Sequence, residues 1–477
     1  MTTSEFDVVV AGGGTAGAIA AVAAARSGAR TCLVEAAAHL GGTCHALANI
    51  TPFHNSRGDA VVRGLPQELV ERIAARGGAR ENPHLPNYAG IGGSFTPVDP
   101  DAMKLTLFEL AEEAGVDLKL HTVLIDVLKQ GSNVVGITVH NKSGLQSLSA
   151  KVVIDATGDA DVAHGAGAKY IQDAPEAALN ATLLFRVAGV DTDAFIADAR
   201  AHPHKFVLLS DPYLRDAKKL TPEQVMRERV RDIYDFPYIY LSNLVRDYVP
   251  RPDWAQWDIR GEDKADWGRL KPFGARFSVM PLPHRRDVVT INATSLTFDA
   301  TDGAQRSRAE IEGHRQMCVA LEVLRQYVPG FARCYLHTVL PAVSIRASRR
   351  IVGEYELTRT DVEGGARFPD AIARGSYPMS VAVKPGVRAH IFVRDGGDYD
   401  IPYRCLVPHD TDGLLVAGRC LAATREAIGS ARMGAQCMAY GQAAGTAAAI
   451  AAKSGIPPRG VGSTELRAAL KQQKAIV

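Results

Sequence analysis

Six residues near the N-terminus, Gly12-Gly13-Gly14-Thr15-Ala16-Gly17, satisfy the spacing G-x-G-x-x-G, and an acid, Glu35, follows Gly17 by 18 residues. Each position has a physical task. Gly12 permits a tight turn, Gly14 lets a diphosphate approach the main chain, and Gly17 brings a helix close to a strand. Free N–H groups and the positive dipole end of a helix opening at Thr15 and Ala16 suit the anion. Glu35 is placed to accept hydrogen bonds from a ribose. The residues read as a dinucleotide site, and the fingerprint by itself does not choose between nicotinamide and flavin dinucleotides.

That chemistry needs a strand, a turn and a helix, and the flanking sequence supplies them. Phe6–Val10 reads as a strand, Ala16–Ser27 as a small-residue helix and Thr31–Glu35 as a second strand. The same elements explain an uncharged run of 18 residues, Val8 to Ala25, which is long enough to be weighed as a membrane span. Its four glycines, its alanines and the acidic segment before it argue against a bilayer or a signal peptide. The chain has 477 residues, 46% hydrophobic and 22% charged, the balance of a soluble globular protein. A net charge of +2 offers no footprint for nucleic acid or an anionic membrane. Seven scattered cysteines without a C-x-x-C pair, and dispersed histidines, exclude a zinc ribbon and leave no expected metal site. The cysteine usage indicates a reducing compartment, and the expected location is cytoplasmic.

Further along, a short helix is expected near Pro66–Arg76 and an amphipathic one over Asp101–Gly115, followed by strands at Leu118–His121, Val123–Lys129, Val134–His140 and Lys151–Asp155. Residues from about 170 to 400 hold all three tryptophans and charge-rich helices such as Pro222–Asp232 and Arg306–Tyr327. The small-residue style returns in a strand over Gly413–Ala417 and a helix over Ala435–Ala452. The fold class is therefore α/β. A Rossmann-like domain, with a parallel sheet, helices and a β-meander, is built from 1–57, 95–168 and 398–477. It carries an excursion at 58–94 and an inserted α+β substrate domain at 169–397.

Three more motifs narrow the cofactor: Gly41-Gly42-Thr43-Cys44, Ala156-Thr157-Gly158-Asp159, and the segment from Gly413 to Gly418-Arg419. These resemble the FAD-binding elements of the large two-dinucleotide-fold, glutathione-reductase-like flavoprotein superfamily. The resemblance implies that the second glycine pair passes near the diphosphate and flavin, and that the Ala-Thr-Gly turn approaches the adenosine. It also implies that a helix starting near Gly434 and Gln436 faces the flavin pyrimidine, where reduced flavin carries negative charge. Val123 is counted among the cofactor-binding residues. The segments Ile345–Tyr355, Ile401–Pro408 and Met438–Ala448 are similar to those of a bacterial family known simply as FAD-dependent oxidoreductases. That family implies flavin redox chemistry without specifying a substrate.

Gly-Gly-Thr-Cys also opens the redox site of flavin disulfide reductases, which carry a second cysteine five residues later. Here that position is Asn49, and thiol–disulfide exchange lacks its partner sulfur. No second nucleotide fingerprint follows Gly90 or Gly165, so no dedicated nicotinamide domain is expected. Cys44 is read as a small packed residue beside the flavin, with a covalent cysteinyl link as its alternative. His45 is a candidate for proton exchange. Arg346 and Arg349, in a cluster with Arg350, are candidates to hold a carboxylate or a developing oxyanion. Tyr377 lies where relatives often continue with an acid and a histidine, and this chain has Met379-Ser380-Val381 instead. The expectation is an FAD-dependent dehydrogenase or oxidase that oxidises a small organic substrate by hydride transfer to flavin N5. Its electrons would pass to oxygen or an external carrier, and its oligomeric state is left open. A reductase of activated C=C bonds and a non-catalytic flavoprotein acting through partner binding are the alternatives.

Overall fold

The computed structural model describes residues 2–42, 47–86, 93–203, 206–207, 213, 216, 221–235, 238–240, 276–384 and 387–477. Thr43, Cys44, His45 and the tryptophans Trp254, Trp257 and Trp267 lie outside the described residues. The chain opens with β1 (Thr2–Ala11), α1 (Thr15–Arg26) and β2 (Thr31–Val34). Val8, Val9 and Val10 are fully buried, as a strand covered on both faces requires. Helices α2 (Leu65–Ala75) and α3 (Pro100–Glu113) follow, the latter capped by the Asp99 carboxylate on the N–H groups of Asp101 and Ala102. Then come β3 (Asp117–Lys119), β4 (Val123–Gln130), β5 (Asn133–Asn141), β6 (Gly144–Asp155) and the short helix α4 (Asp161–Ala166).

The main sheet runs β3-β2-β1-β6-β5-β4. β1, β2 and β3 are mutually parallel, and β1 also runs parallel to β6. β6 is the pivot. Its first half pairs with β5 in the antiparallel meander, and its last residues, Val153–Asp155, pair in parallel with Leu414–Val416 from the far end of the chain. The two ends thereby share one sheet.

A second, six-stranded sheet lies in the middle of the chain. Its principal strands are β7 (Phe185–Ala188), β8 (Arg276–Leu282), β9 (Arg285–Asn292) and β10 (Tyr335–Val339), in the spatial order β8-β9-β7-β10. Alternation of side chains gives this sheet two faces. Phe185, Val187, Val279, Val289 and Ile291 point to one side. There they meet α5 (Thr192–Ala201) and α6 (Gly303–Tyr327) through Phe195, Ala199, Ala320 and Leu324. Leu184, Ala188, Met280 and Leu282 point to the other side, toward Leu47, Ala48 and Phe95. This second core ends at Cys334; Ile351, Leu357, Ile372 and Tyr399 join the large core under the main sheet. Within the 58–94 segment, Leu69, Val70 and Ile73 of α2 also enter that large core.

The last long helix, α7 (Gly434–Ser454), packs on α1. Small residues set the distance. A Cβ at Gly441 would come within 2.5 Å of the Ala16 carbonyl oxygen, and one at Gly445 within 2.1 Å of the Ala20 carbonyl oxygen. The alanine and glycine bias at both ends of the chain thus has one cause: two backbones in direct contact. Among the described residues, no helix is long and apolar enough to cross a membrane.

Candidate functional site: a glycine cradle under the inserted sheet

The turn between β1 and α1 is built as its glycines require. Gly12 adopts φ +100°, and a Cβ there would lie 2.5 Å from the Ala156 carbonyl oxygen. A Cβ on Gly17 would collide with the Gly12 carbonyl oxygen at 1.9 Å. Gly14 differs from both: among the described residues nothing lies within 4 Å of its Cβ position, and its φ of −66° suits any residue. Among the described residues Gly14 has no packing reason to be glycine. A cradle that a Cβ would fill, at the N-terminus of a 12-residue helix, fits a diphosphate held by main-chain N–H groups.

Glu35 stands at the end of β2 with its two oxygens accepting from the N–H groups of Gly13 and Ala37, both at 2.7 Å. The first bond ties the acid to the glycine turn. Each oxygen keeps accepting capacity for a ribose hydroxyl. The Glu35 carbonyl accepts from Thr122 N–H, which brings Val123 and the start of the meander to the same corner. The second glycine pair closes over the first. Gly41 N–H donates to Gly13, Thr15 Oγ1 donates to the Gly41 carbonyl at 3.1 Å, and a Cβ on Gly42 would lie 3.0 Å from Gly14 Cα. Thr43, Cys44 and His45, next in sequence, lie outside the described residues.

The Ala-Thr-Gly turn is organised by Asp155, a residue the motif reading passed over. Its fully buried carboxylate accepts from Thr157 N–H, Thr157 Oγ1 and Ala163 N–H. Burial pushes its pKa up to about 6 against these bonds. Asp159 and Arg419 form an ion pair at 2.7 Å; Ser348 Oγ donates to Asp159 at 2.6 Å and Arg306 reaches it at 3.3 Å. Arg419 also lies across Gly158 and donates to the Ile345 carbonyl. These side chains therefore join the turn, the Gly418 loop and the returning 345–350 segment. Gly418 packs beside Ala16, and its carbonyl accepts from the Tyr440 hydroxyl of α7.

At the start of α7, next to Gly434, Gln436 is fully buried and its amide is used within the protein. The oxygen accepts from the N–H groups of Ser376 and Tyr377, and the nitrogen donates to the Ser430 carbonyl and the Tyr399 hydroxyl. Its side chain fixes the Tyr377 turn. Ala435 N–H donates to the Thr51 carbonyl, and Ser376 Oγ to that of His54.

The three arginines diverge. Arg346 donates to the Asn180 carbonyl and lies 3.5 Å from Asn292 Oδ1 on the inserted sheet. Arg349 pairs with Asp161 at 3.1 Å, and its buried Nε and Nη1 meet no acceptor among the described residues. Arg350 is structural: 1% exposed, it pairs with Asp173 at 2.7 Å and donates to the Ala423 carbonyl at 2.9 Å. Arg350→Met leaves a carboxylate and a carbonyl without their partner and is expected to destabilise the protein by about 3 kcal/mol; urea unfolding of the purified variant measures it.

Two groups had no motif to reveal them. One is Arg186, buried within the inserted sheet. The other is a pair of histidines, with ring centroids 5.3 Å apart. His84 is held at 2.8 Å by Gln67 Oε1 on Nε2 and at 2.8 Å by Thr96 Oγ1 on Nδ1. Gln67 is oriented by its own donation to Glu71, so Nε2 of His84 carries the proton. Burial lowers the His84 pKa to about 3, and His54 and Arg63 add to the effect. A folded pKa below the unfolded value near 6.5 means that the unfolded chain takes up a proton the fold refuses. Stability is whole above pH 6.5 and falls below it. Between pH 7 and pH 5, wild type should lose about 2 kcal/mol more than His84→Gln, as read by urea unfolding at the two pH values. The signal for all three residues was spatial: one histidine follows a proline in a loop, and the arginine interrupts an apolar strand.

No group of three or more metal-ligating side chains occurs among the described residues. The model of the family described as FAD dependent oxidoreductase matches residues 7–470. No curated protein matches the chain. Among solved structures, a geranylgeranyl bacteriochlorophyll reductase-like protein from Thermoplasma acidophilum is similar at 13% identity and TM-score 0.47, covering 99% of this chain and 84% of that one. A flavin-dependent brominase is similar at 12% identity and TM-score 0.47, with the same coverage. The p-nitrophenol 4-monooxygenase of Pseudomonas putida is similar at 13% identity and TM-score 0.43, covering 98% of this chain and 84% of that one.

Proposed function

The chain belongs to the FAD dependent oxidoreductase family, and on that premise we propose that it oxidises a small organic substrate bound between the FAD cradle and the inserted sheet. The observation that carries this reading is the glycine cradle, with the inner face of the inserted sheet packed against Leu47, Ala48 and Phe95. FAD, when bound, supplies a two-electron acceptor that takes a hydride at N5. The chain does the rest. The glycine turns hold the diphosphate, Glu35 the ribose, and the N-terminus of α7 offers positive potential where charge develops on reduction. Leu184, Met280 and Phe95 exclude water from the interface.

A substrate that gives up a hydride also gives up a proton. Tyr377, positioned through its backbone by Gln436, and His45 are the groups we assign to receive it. Substrate oxidation is preferred over reduction because the sequence carries one nucleotide fingerprint and no second one to bring in reducing equivalents. The electrons then leave to oxygen or an external carrier. The test is anaerobic mixing of the yellow enzyme with alcohols, amines and hydroxy acids. Bleaching of the visible flavin band by one class supports the reading. Reoxidation of the pre-reduced enzyme by an enone, with no bleaching by any donor, would reverse the direction and make the protein a C=C reductase.

A further inference from the structure

Asn292 ends β9 directly opposite Ser278 of β8. Cross-strand partners share one face of their sheet. The next pair on that face is Met280 with Thr290, and Met280 packs with Leu184, Leu340 and Phe95. Val279 and Ile291, between the two pairs, belong to the core of the outer face. Asn292 and Ser278 therefore stand side by side on the inner face, next to the apolar surface of Leu184, Met280 and Leu340.

The amide of Asn292 has a fixed direction. Its oxygen accepts from Thr182 Oγ1 at 3.0 Å and lies 3.5 Å from Arg346 Nη2. A guanidinium only donates hydrogen bonds, so the atom turned to Arg346 is the oxygen, and the two N–H groups of Nδ2 point elsewhere. Among the described residues they meet no acceptor, and the Ser278 hydroxyl opposite them meets no partner. Asn292 is half-buried and Ser278 only 7% exposed. Polar groups so placed cost free energy unless a hydrogen-bond partner reaches them.

We propose that Asn292 Nδ2 and Ser278 Oγ hold one oxygen atom of the substrate, so that the enzyme acts on neutral molecules with an alcohol or carbonyl oxygen on an apolar body. This rests on the reading of the inserted sheet as the substrate platform. An amide N–H and a hydroxyl can donate to the two lone pairs of a single oxygen, while the apolar body lies against Met280 and Leu184. An ammonium group in the same place would face Nδ2 donor to donor.

The test is titration of the oxidised holoenzyme with acetone, cyclohexanone and acetophenone, each beside the amine of the same shape, followed by the flavin difference spectrum. At least one ketone is expected to perturb the spectrum about 30-fold more tightly than its amine. Asn292→Asp keeps an oxygen for Thr182 and Arg346 and exchanges the N–H donors for a second oxygen. It should retain the FAD content of wild type, bind that ketone about 30-fold more weakly and lose the preference over the amine. A purely structural amide would tolerate the change. Ser278→Ala should weaken ketone binding about 5-fold and serves if the aspartate variant does not fold. Equal or tighter binding of every amine, no perturbation by any ketone, unchanged ketone binding in either folded variant, or loss of FAD from Ser278→Ala would each overturn the proposal. Ketone-selective binding that both variants lose, without bleaching by any electron donor, would leave it standing and sink the oxidative reading instead.

Discussion

Gly14→Ala is expected to yield a folded protein that purifies colourless. The backbone at Gly14 has an ordinary φ of −66°, and its Cβ position has nothing within 4 Å among the described residues. The methyl group therefore meets no atom of the described residues, and the intrinsic effect is that of an alanine at a helix N-cap, at most about 1 kcal/mol. It stands where the diphosphate must approach the N–H groups of α1. Losing that approach should weaken FAD binding at least about 100-fold, or roughly 2.7 kcal/mol. FAD released from the purified variant, set beside its urea unfolding curve, separates the two effects. A yellow Gly14→Ala protein with wild-type affinity would place the diphosphate elsewhere. Gly17→Ala makes the opposite case, because its Cβ would strike the Gly12 carbonyl at 1.9 Å, and there the fold and the cofactor should fail together.

Gly445→Ala carries the largest expected loss of stability. Its Cβ would lie 2.1 Å from the Ala20 carbonyl oxygen and 3.0 Å from Ala23 Cβ. The obstacle is the backbone of α1, which cannot rotate aside as a side chain would. Either α7 moves away from α1, opening a gap along the most intimate helix pair in the molecule, or both helices bend. Overpacking of this kind costs about 3 kcal/mol or more, several times what alanine gains over glycine in a helix. Gly303→Ala is the control: it opens helix α6 with nothing within 4 Å among the described residues and should change stability by less than about 1 kcal/mol. The comparison is made by urea unfolding of both variants. Since α1 begins at the glycine cradle, the Gly445 variant should also lose FAD.

How far the site could be read beforehand differs residue by residue. The spacing of Gly12, Gly14, Gly17 and Glu35 states a local geometry, because strand, turn and helix are contiguous and their dimensions are fixed by the backbone. Gly42, Ala156–Asp159 and Gly418 were legible as motifs, yet their sequence separations say nothing of how they meet. The fold shows Gly42 against Gly14, Arg419 across Gly158, and Ala156 under Gly12. Gln436 was read as a cofactor contact, and its amide is used on Ser376, Tyr377, Ser430 and Tyr399. A side chain that can make four hydrogen bonds gives no hint in sequence of which four it makes.

By itself the sequence determined the fold class, the β-α-β unit at the N-terminus and the family, because each depends on local spacing or on a run of matching motifs. Only the tertiary structure decided which charges are buried and together. It separated Arg350, sealed against Asp173, from Arg346, which reaches the inserted sheet; it turned Arg186 inward; and it paired His54 with His84. Burial and proximity are properties of packing between segments more than a hundred residues apart in the case of Arg186 and Thr290. The one-dimensional pattern shows the same arginine whether its guanidinium ends in solvent, in an ion pair, or between two domains.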